Sequence, residues 1–572
     1  MRKLGCLLLL CLLPATSWAQ STFHFPLVVD AGPVGIAVVN PTSAAATVSY
    51  IAYSANGQQL GTGTQSVPAG GQVAKLGSEL LASATNAKGG IPGWIQVSSA
   101  ATGLQAFEMA GDFATAVAGI DAAPLASDQV IPVGGKTLLF VANPAATSIS
   151  VVIRAYDAAG ALVGTLSPVI PAKGVYDSDA VGIQFGAPGT WASARHLRIV
   201  SPTPVAVGAD FKDFLVSGRD QAAITGSDAE NAPTRVSFAH AVHGTLGVSS
   251  YTTMVGITNS STSSQTVSIT FNPESGAALS VQLSIPANGT VQRTLQDLFQ
   301  LSSTFQSGWV DISGSAKLNA FLAYADVAFG GVAVVPAQAT ARTTLLFAHT
   351  ANLSPWWTGV AILNTGATDA TVEISGMNPD GTLAGSLLKP ARATIVVPAR
   401  SRTAKLIEEI MPAYQSRQSD GGFLFLRSTS NVPLIGIELF FLRSGAAIAN
   451  VAAGTLLPGI NFTPPPPADR FVTIAFWSTN NDCSGNPGST NRFPVSYGSE
   501  QCYTWPGRSG ENSATNFSCG ANSMSYTQWT TLTCSGGQNP PGTRKTTYTD
   551  RCTQDVPPTL YARIVDFSGC PE

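Results

Sequence analysis

The sequence predicts an all-β chain: four tandem β-sandwich domains followed by a small disulfide-rich β domain. Three observations carry this. An apolar strand ends in Asn four times, and each time a turn Gly follows seventeen residues later, at Asn40/Gly57, Asn143/Gly160, Asn259/Gly276 and Asn364/Gly381. A repeat of about 100 residues means tandem copies of one domain. The 56 Gly and 37 Pro are spread along the chain, as many turns between short strands require. Six of the eight Cys crowd into the last stretch.

The chain opens with Arg2 and Lys3, an apolar run over 4–13, and the small-residue site Ser17-Trp18-Ala19. That is the pattern of a bacterial secretory signal peptide over 1–19. The run is shorter than the ~20 residues a membrane span needs. A lipoprotein anchor is the competing reading. Cys6 precedes the apolar run, however, and Cys11 follows Leu9-Leu10 with no small residue between. No later apolar stretch is of spanning length, so the expectation is a mature chain exported to the medium or the cell surface, with no transmembrane segment.

The four repeats are placed at 20–128, 129–234, 235–341 and 342–463. In the first, the apolar stretch 34–39 runs into Asn40-Pro41, and 46–53 then alternates polar and apolar at period two. Asn56-Gly57 between strand-like runs predicts a tight hairpin, because both positions accept positive φ. Ala159-Gly160, Ser275-Gly276 and Asp380-Gly381 recur at the same offset.

Later landmarks recur too. A Pro-Ala pair stands at Pro68, Pro171, Pro286 and Pro398. An aromatic opens a strand at Trp94, Trp191, Trp309 and Phe423. Between the two lies a short stretch with helix-like spacing, such as 75–80, 294–298 or 405–410. About seven short strands in about 105 residues describe an immunoglobulin-like sandwich, without the Cys…Trp…Cys of antibody domains. The recurrent aromatic reads as core filling, with a binding anchor as the alternative. His24, His240 and His349 read as strand-edge histidines. Joints of roughly ten residues between copies predict a stiff rod of four sandwiches in line, on the order of 140 Å long.

A Pro-rich linker at 464–468, opening with four consecutive prolines, reads as a stiff spacer. Beyond it, 469–572 holds Cys483, Cys502, Cys519, Cys534, Cys552 and Cys570. With an export signal and no C-x-x-C pair, these predict three disulfides. Spacing favours pairing in sequence order among the fifteen pairings open to six Cys. The stretch 477–483 resembles 548–552, which suggests a partial internal duplication. Trp477, Trp505, Trp529 and Tyr503 are candidate ligand-stacking aromatics. The competing reading is that these rings pack around the disulfides.

Charged residues make up 11% of the chain, well under the ~25% usual for soluble domains. With a net charge of −3 and no basic stripe, nucleic acid is not an expected partner. No G-x-S-x-G elbow, H-E-x-x-H helix or calcium loop occurs. No catalytic residue, metal ligand or cofactor is predicted, and the chain is not expected to be an enzyme.

The stretches Gly-Ile-Ala-Val-Val-Asn-Pro at 35–41 and Gly-Val-Ala-Ile-Leu-Asn at 359–364, with the Pro-Ala…Gly-Trp text, resemble the tandem β-sandwich repeats of large secreted bacterial proteins. The terminal stretch loosely resembles small Cys-rich secreted modules. The resemblance implies scaffolding or adhesion: a stalk of sandwiches presenting a disulfide-stapled head. Two alternatives stay open. One is a carbohydrate-binding protein acting through the head. The other is a filament subunit assembled by strand addition at an exposed sheet edge. The partners these readings imply are other copies of the chain, or cell-surface glycans and proteins.

Overall fold

A computed structural model describes residues 21–464 apart from 30–31, 114–115, 219, 353–354, 386–390, 413, 415–420, 443, 445–446, 455, 457–459 and 461; beyond 464 it describes only the backbone of the strands. The described chain is all-β, with short helices only.

The first repeat sets the pattern. Its strands are β1 (Ser21–Phe25), β2 (Val34–Val39), β3 (Ala46–Tyr53), β4 (Gln59–Val67), β5 (Gln72–Leu76), β6 (Trp94–Ser99), β7 (Gln105–Gly111) and β8 (Val117–Asp121). One sheet runs β1-β6-β3-β4 and the other β5-β2-β7-β8. Val34, Ile36 and Val38 of the second sheet share one core with Val48, Tyr50, Ile95 and Val97 of the first.

The same antiparallel ladders recur in each later repeat. The second repeat fuses its sixth and seventh strands into His196–Lys212, with a register break between Val200 and Val205. In the third, Ser249–Asn259 takes the place of β2, flanked by Thr290–Thr294 and Leu318–Asp326. In the fourth, Trp356–Asn364 does so, between Arg402–Leu406 and Leu434–Leu442. The architecture is a sandwich, but the strand order differs from the immunoglobulin one. There the first strand lies beside the second and the last beside the sixth. Here β1 lies beside β6, and β7 lies beside β2.

Three one-turn helices close the unit where helix-like spacing predicts them: α1 (Gly77–Leu80), α2 (Leu295–Phe299) and α3 (Ile407–Ile410). Glu79 Oε2 accepts the Leu76 N–H at 2.9 Å, and Glu409 Oε2 accepts the Leu406 N–H at 2.8 Å. Each carboxylate thereby caps an N–H at a helix start, where four such donors lack intrahelical partners.

The hairpin after the third strand is not the predicted two-residue turn. Gly57 has φ 82°, but Asn56 is not in the left-handed region. Gly57 N–H donates to Ser54 O, and Ser54 N–H to Gln58 O, with a bulge after Ala52. This is a three-residue loop closed by a left-handed Gly, the next most common hairpin type. It needs a Gly only at its last position, which is why Asn56 is replaced by Ala159, Ser275 and Asp380 without changing the offset.

The chain divides into two compact units, 1–339 with 444–462, and 340–443 with 463–572. In the first unit the sandwiches are not strung end to end, which corrects the expectation of domains in line. The counterpart of β2 in the second repeat, Lys136–Ala142, is buried over six consecutive residues. Leu139 and Val141 face their own core, whereas Leu138, Phe140 and Ala142 join the core of the first repeat. Likewise Met254, Phe321, Ala323 and Val334 of the third repeat join the core of the second. A sheet buried on both faces reads as a continuous apolar run rather than an alternating one.

The eighth strands close this unit. β8 packs beside Asp220–Thr225, which packs beside Val332–Pro336, which packs beside Ile448–Ala452, which returns to β8. Small residues permit the approach: a Cβ on Gly119 would stand 2.4 Å from the Asn450 carbonyl oxygen.

Beyond 464 the described strands form two four-stranded sheets. One orders Ser489–Pro494, Phe471–Trp477, Leu560–Asp566 and Thr553–Asp555; the other runs from Tyr503–Thr504 through Ser513–Gly520 and Ser523–Trp529 to Thr543–Tyr548. The strands ahead of the two similar Cys stretches occupy a central place in one sheet and an edge in the other, unlike a duplicated pair.

Candidate functional site

The repeated Asn is a clamp. Asn40, Asn143, Asn259 and Asn364 are all fully buried. Asn143 Nδ2 donates to Thr147 O at 2.8 Å, Ile170 O at 3.3 Å and Pro171 O at 2.8 Å, while its Oδ1 accepts the Ala145 N–H at 3.0 Å. Asn40 and Asn259 make the same set. Asn364 binds Thr368 O and Val397 O. One amide thus ties the loop after the second strand to the end of the fourth. It presents the Pro-Ala turn, whose third residue is left-handed in every copy: Gly70, Lys173, Asn288 and Arg400, with φ from 50° to 64°.

In the second and third repeats that turn receives the hairpin of the preceding repeat. Val175 N–H donates to Ala55 O at 3.2 Å, and Thr290 N–H to Ala158 O at 3.1 Å. Trp94 Nε1 donates to Lys173 O at 2.8 Å. The Trp94 ring stacks on Tyr53 and His24, at 5.2 and 6.0 Å between centroids, and the Lys173 ammonium lies 5.8 Å over Tyr53. At the next joint His196 stacks on Tyr156 at 5.0 Å, and its Nδ1 shares a 2.8 Å hydrogen bond with Thr290 Oγ1. Gln292 Nε2 reaches across to Val133 O at 2.9 Å.

Trp94 therefore both fills the core, as expected of the recurrent aromatic, and bonds across the first joint. Trp94 is opposite Tyr53, Trp309 opposite Asn272 and Phe423 opposite Met377. In the second repeat the residue at this register is His196, opposite Tyr156. Trp191 does not open that strand, contrary to expectation. It lies in the preceding loop at φ 53°, its ring against the bare face of Gly164 and 5.5 Å from Phe185.

Burial, aided by Lys173, lowers the His24 pKa to about 4, and burial, aided by Arg198, lowers that of His196 to about 3. Both are neutral near pH 7, which suits rings stacked beside cationic side chains. His24 lies on an edge strand of its sheet, whereas His240, against expectation, lies on Arg235–Leu246, which pairs with Gln306–Gly314 on one side and Ser249–Asn259 on the other. Burial brings His349 to about 4.

Two carboxyls lie in cores. Glu108 on β7 sits between Ile36 and Ile120, and burial raises it to about 8. Glu438 holds the same register in the fourth repeat, opposite Val360, and Thr350 Oγ1 donates to its Oε2 at 3.3 Å. Burial raises it far above the ordinary carboxyl range. Among the described residues no three His, Cys, Asp or Glu stand close enough to hold a metal ion. No described helix is long and apolar enough to cross a membrane.

The residues predicted from the terminal stretch are placed only as backbone, where they are placed at all. Trp477 ends the strand Phe471–Trp477, while Tyr503 and Trp529 take neighbouring registers on either side of Ser513–Gly520, in the other sheet. Cys519 lies within that strand. Trp505, Cys483, Cys502, Cys534, Cys552 and Cys570 fall outside the described residues.

No known protein family matches the sequence, and no curated protein matches it. Among solved structures, a Thermotoga maritima protein (1070) is 14% identical, covering 19% of this chain and 97% of that one, with a TM-score of 0.17. The triple jelly-roll turret protein of an archaeal virus is 12% identical over 60% of this chain and 87% of that one, with a TM-score of 0.11. A tetra-tandem repeat from the extending region of a large adhesion protein is 13% identical over 77% and 100%, with a TM-score of 0.09. At such scores none of these likenesses carries an argument about the fold or role of this chain.

Proposed function

We propose that this chain is an exported structural or adhesion protein: tandem sandwiches, the first three braced against one another, that present a disulfide-stapled terminal domain at the cell surface or in the medium. The joint carries this reading. Each successive described joint spends its buried polar groups and its rings on fixing one repeat to the next, as a support requires. In this reading the body holds and the terminal domain touches. Three disulfides in 469–572 would keep that small domain folded outside the cell.

The test uses the whole chain made with its own leader in a bacterial host. The mature protein is expected in the medium or accessible to protease on intact cells. Beads coated with it are expected to stay on cell surfaces or on each other, and to lose that retention when 469–572 is removed. Retention in the cytoplasm, or coated beads that behave like bare ones, overturns the reading. Non-reducing peptide mapping checks for three bonds.

A further inference from the structure

Glu108 has no counterpart in the middle repeats. The same register holds Ala209 opposite Leu139 in the second repeat and Leu322 opposite Val255 in the third. The fold therefore does not need an acid there. Glu108 is 1% exposed, and neither of its carboxyl oxygens has a hydrogen-bond partner. Its counterpart Glu438 at least accepts a hydrogen bond from Thr350.

The neighbours of Glu108 within its own sheet are apolar. Ile36 flanks it on β2 and Ile120 on β8. Across the sandwich the inward residues of β3 are Val48, Tyr50 and Ala52, and those of β6 are Ile95 and Val97. From β1, Phe25 enters the same core, and from β4, Val67. The titratable group facing it from β3 is the Tyr50 hydroxyl, itself unpartnered and pushed upward by burial. From β5, two strands away on the same face, Lys75 is exposed. Glu79 on α1 is exposed and caps its own helix.

We propose that the first sandwich is a pH-responsive element: when Glu108 loses its proton the carboxylate must reach water or a cation, so the β2–β7–β8 sheet is held shut in acid and loosens in alkali. A bare carboxylate in apolar surroundings costs far more than a neutral acid. The sign follows from linkage. The folded state holds the proton to about pH 8, whereas an opened state releases it in the ordinary glutamate range. The closed form is thus favoured fully in acid and loses about tenfold for each pH unit up to about 8. Because β8 also packs beside 220–225 and 448–452, the opening would reach the neighbouring repeats.

Hydrogen exchange on the full chain tests this, followed in peptides covering 105–121 and corrected for the intrinsic rate. From pH 5 to pH 8 the opening equilibrium of wild type should rise by about 400-fold. Glu108→Gln and Glu108→Leu should remove the slope, whereas Glu438→Gln should leave it in these peptides. A wild-type chain without the slope, or a slope that survives Glu108→Gln, overturns the proposal. Glu108→Gln is close to isosteric, so it decides the matter if Glu108→Leu does not fold.

Discussion

A single buried amide does in each repeat what several loop contacts would otherwise do. Asn143→Ala removes the partner of three carbonyls and one N–H, of which the Ile170 carbonyl is bonded in a fully buried contact. The expected loss is about 3 kcal/mol, read as a lower urea midpoint, and Asn143→Asp should fare no better because a carboxylate has no donor. Trp94→Phe keeps the stacking but loses the bond to Lys173 O, with an expected cost of about 1 kcal/mol in the same assay. The repeated Asn was plain in the sequence, but its role was not. As the last residue of an apolar strand it looks like the start of a turn. The carbonyls it holds lie up to 28 residues away in the second repeat, and carbonyls belong to every residue type. Where the Asn-to-Pro-Ala interval grows to 34 in the fourth repeat, the amide still binds the residue before the Pro, Val397.

The hairpin and the turn it enters form a lock whose tolerance differs from copy to copy. A Cβ on Gly57 or Gly160 would stand 1.8 or 1.9 Å from the carbonyl oxygen of Ala172 or Ala287 in the next repeat. Nothing lies within 4 Å of the same position on Gly276. All three have positive φ, so each Gly→Ala change carries about 1 kcal/mol of backbone strain. Gly57→Ala and Gly160→Ala should cost clearly more than Gly276→Ala in chemical denaturation, since only they also force a joint apart. The joints should be sensitive to acid. His24 is neutral in the fold, so its contribution is complete above its ordinary range and fades as pH falls from about 6.5 to about 4. Limited proteolysis at pH 4 and pH 7 should show the first joint weakening in acid, and His24→Phe should remove the difference. The sequence displayed the clue to lateral packing: second strands with unbroken apolar runs, as at 34–39 and 138–142, followed by third strands that alternate, as at 46–53. An isolated sandwich would leave one face of that sheet wet, so the unbroken run called for a cover on both sides. What it could not say was which neighbour supplies the cover.

At the scale of the molecule, the shared cores make the repeats of the first unit mutually dependent. Heating the full chain should therefore melt its first three repeats in one calorimetric transition rather than three. Separate transitions for each would refute that dependence. The Cys-rich stretch was the part most readily delimited by composition, yet its chemistry depends on how side chains converge, which spacing alone does not determine.

The circuit made by the four eighth strands carries a consequence for how this gene can change. An open array lengthens or shortens readily by unequal crossing-over, because each unit needs only its two neighbours. A closed circuit allows no such drift. A fifth copy would find no place between 448–452 and β8, and a lost copy would leave two apolar strands without a mate. Copy number is thereby set by geometry, and divergence among the copies becomes the remaining route to novelty, as the acid at 108 and the imidazole at 196 already illustrate.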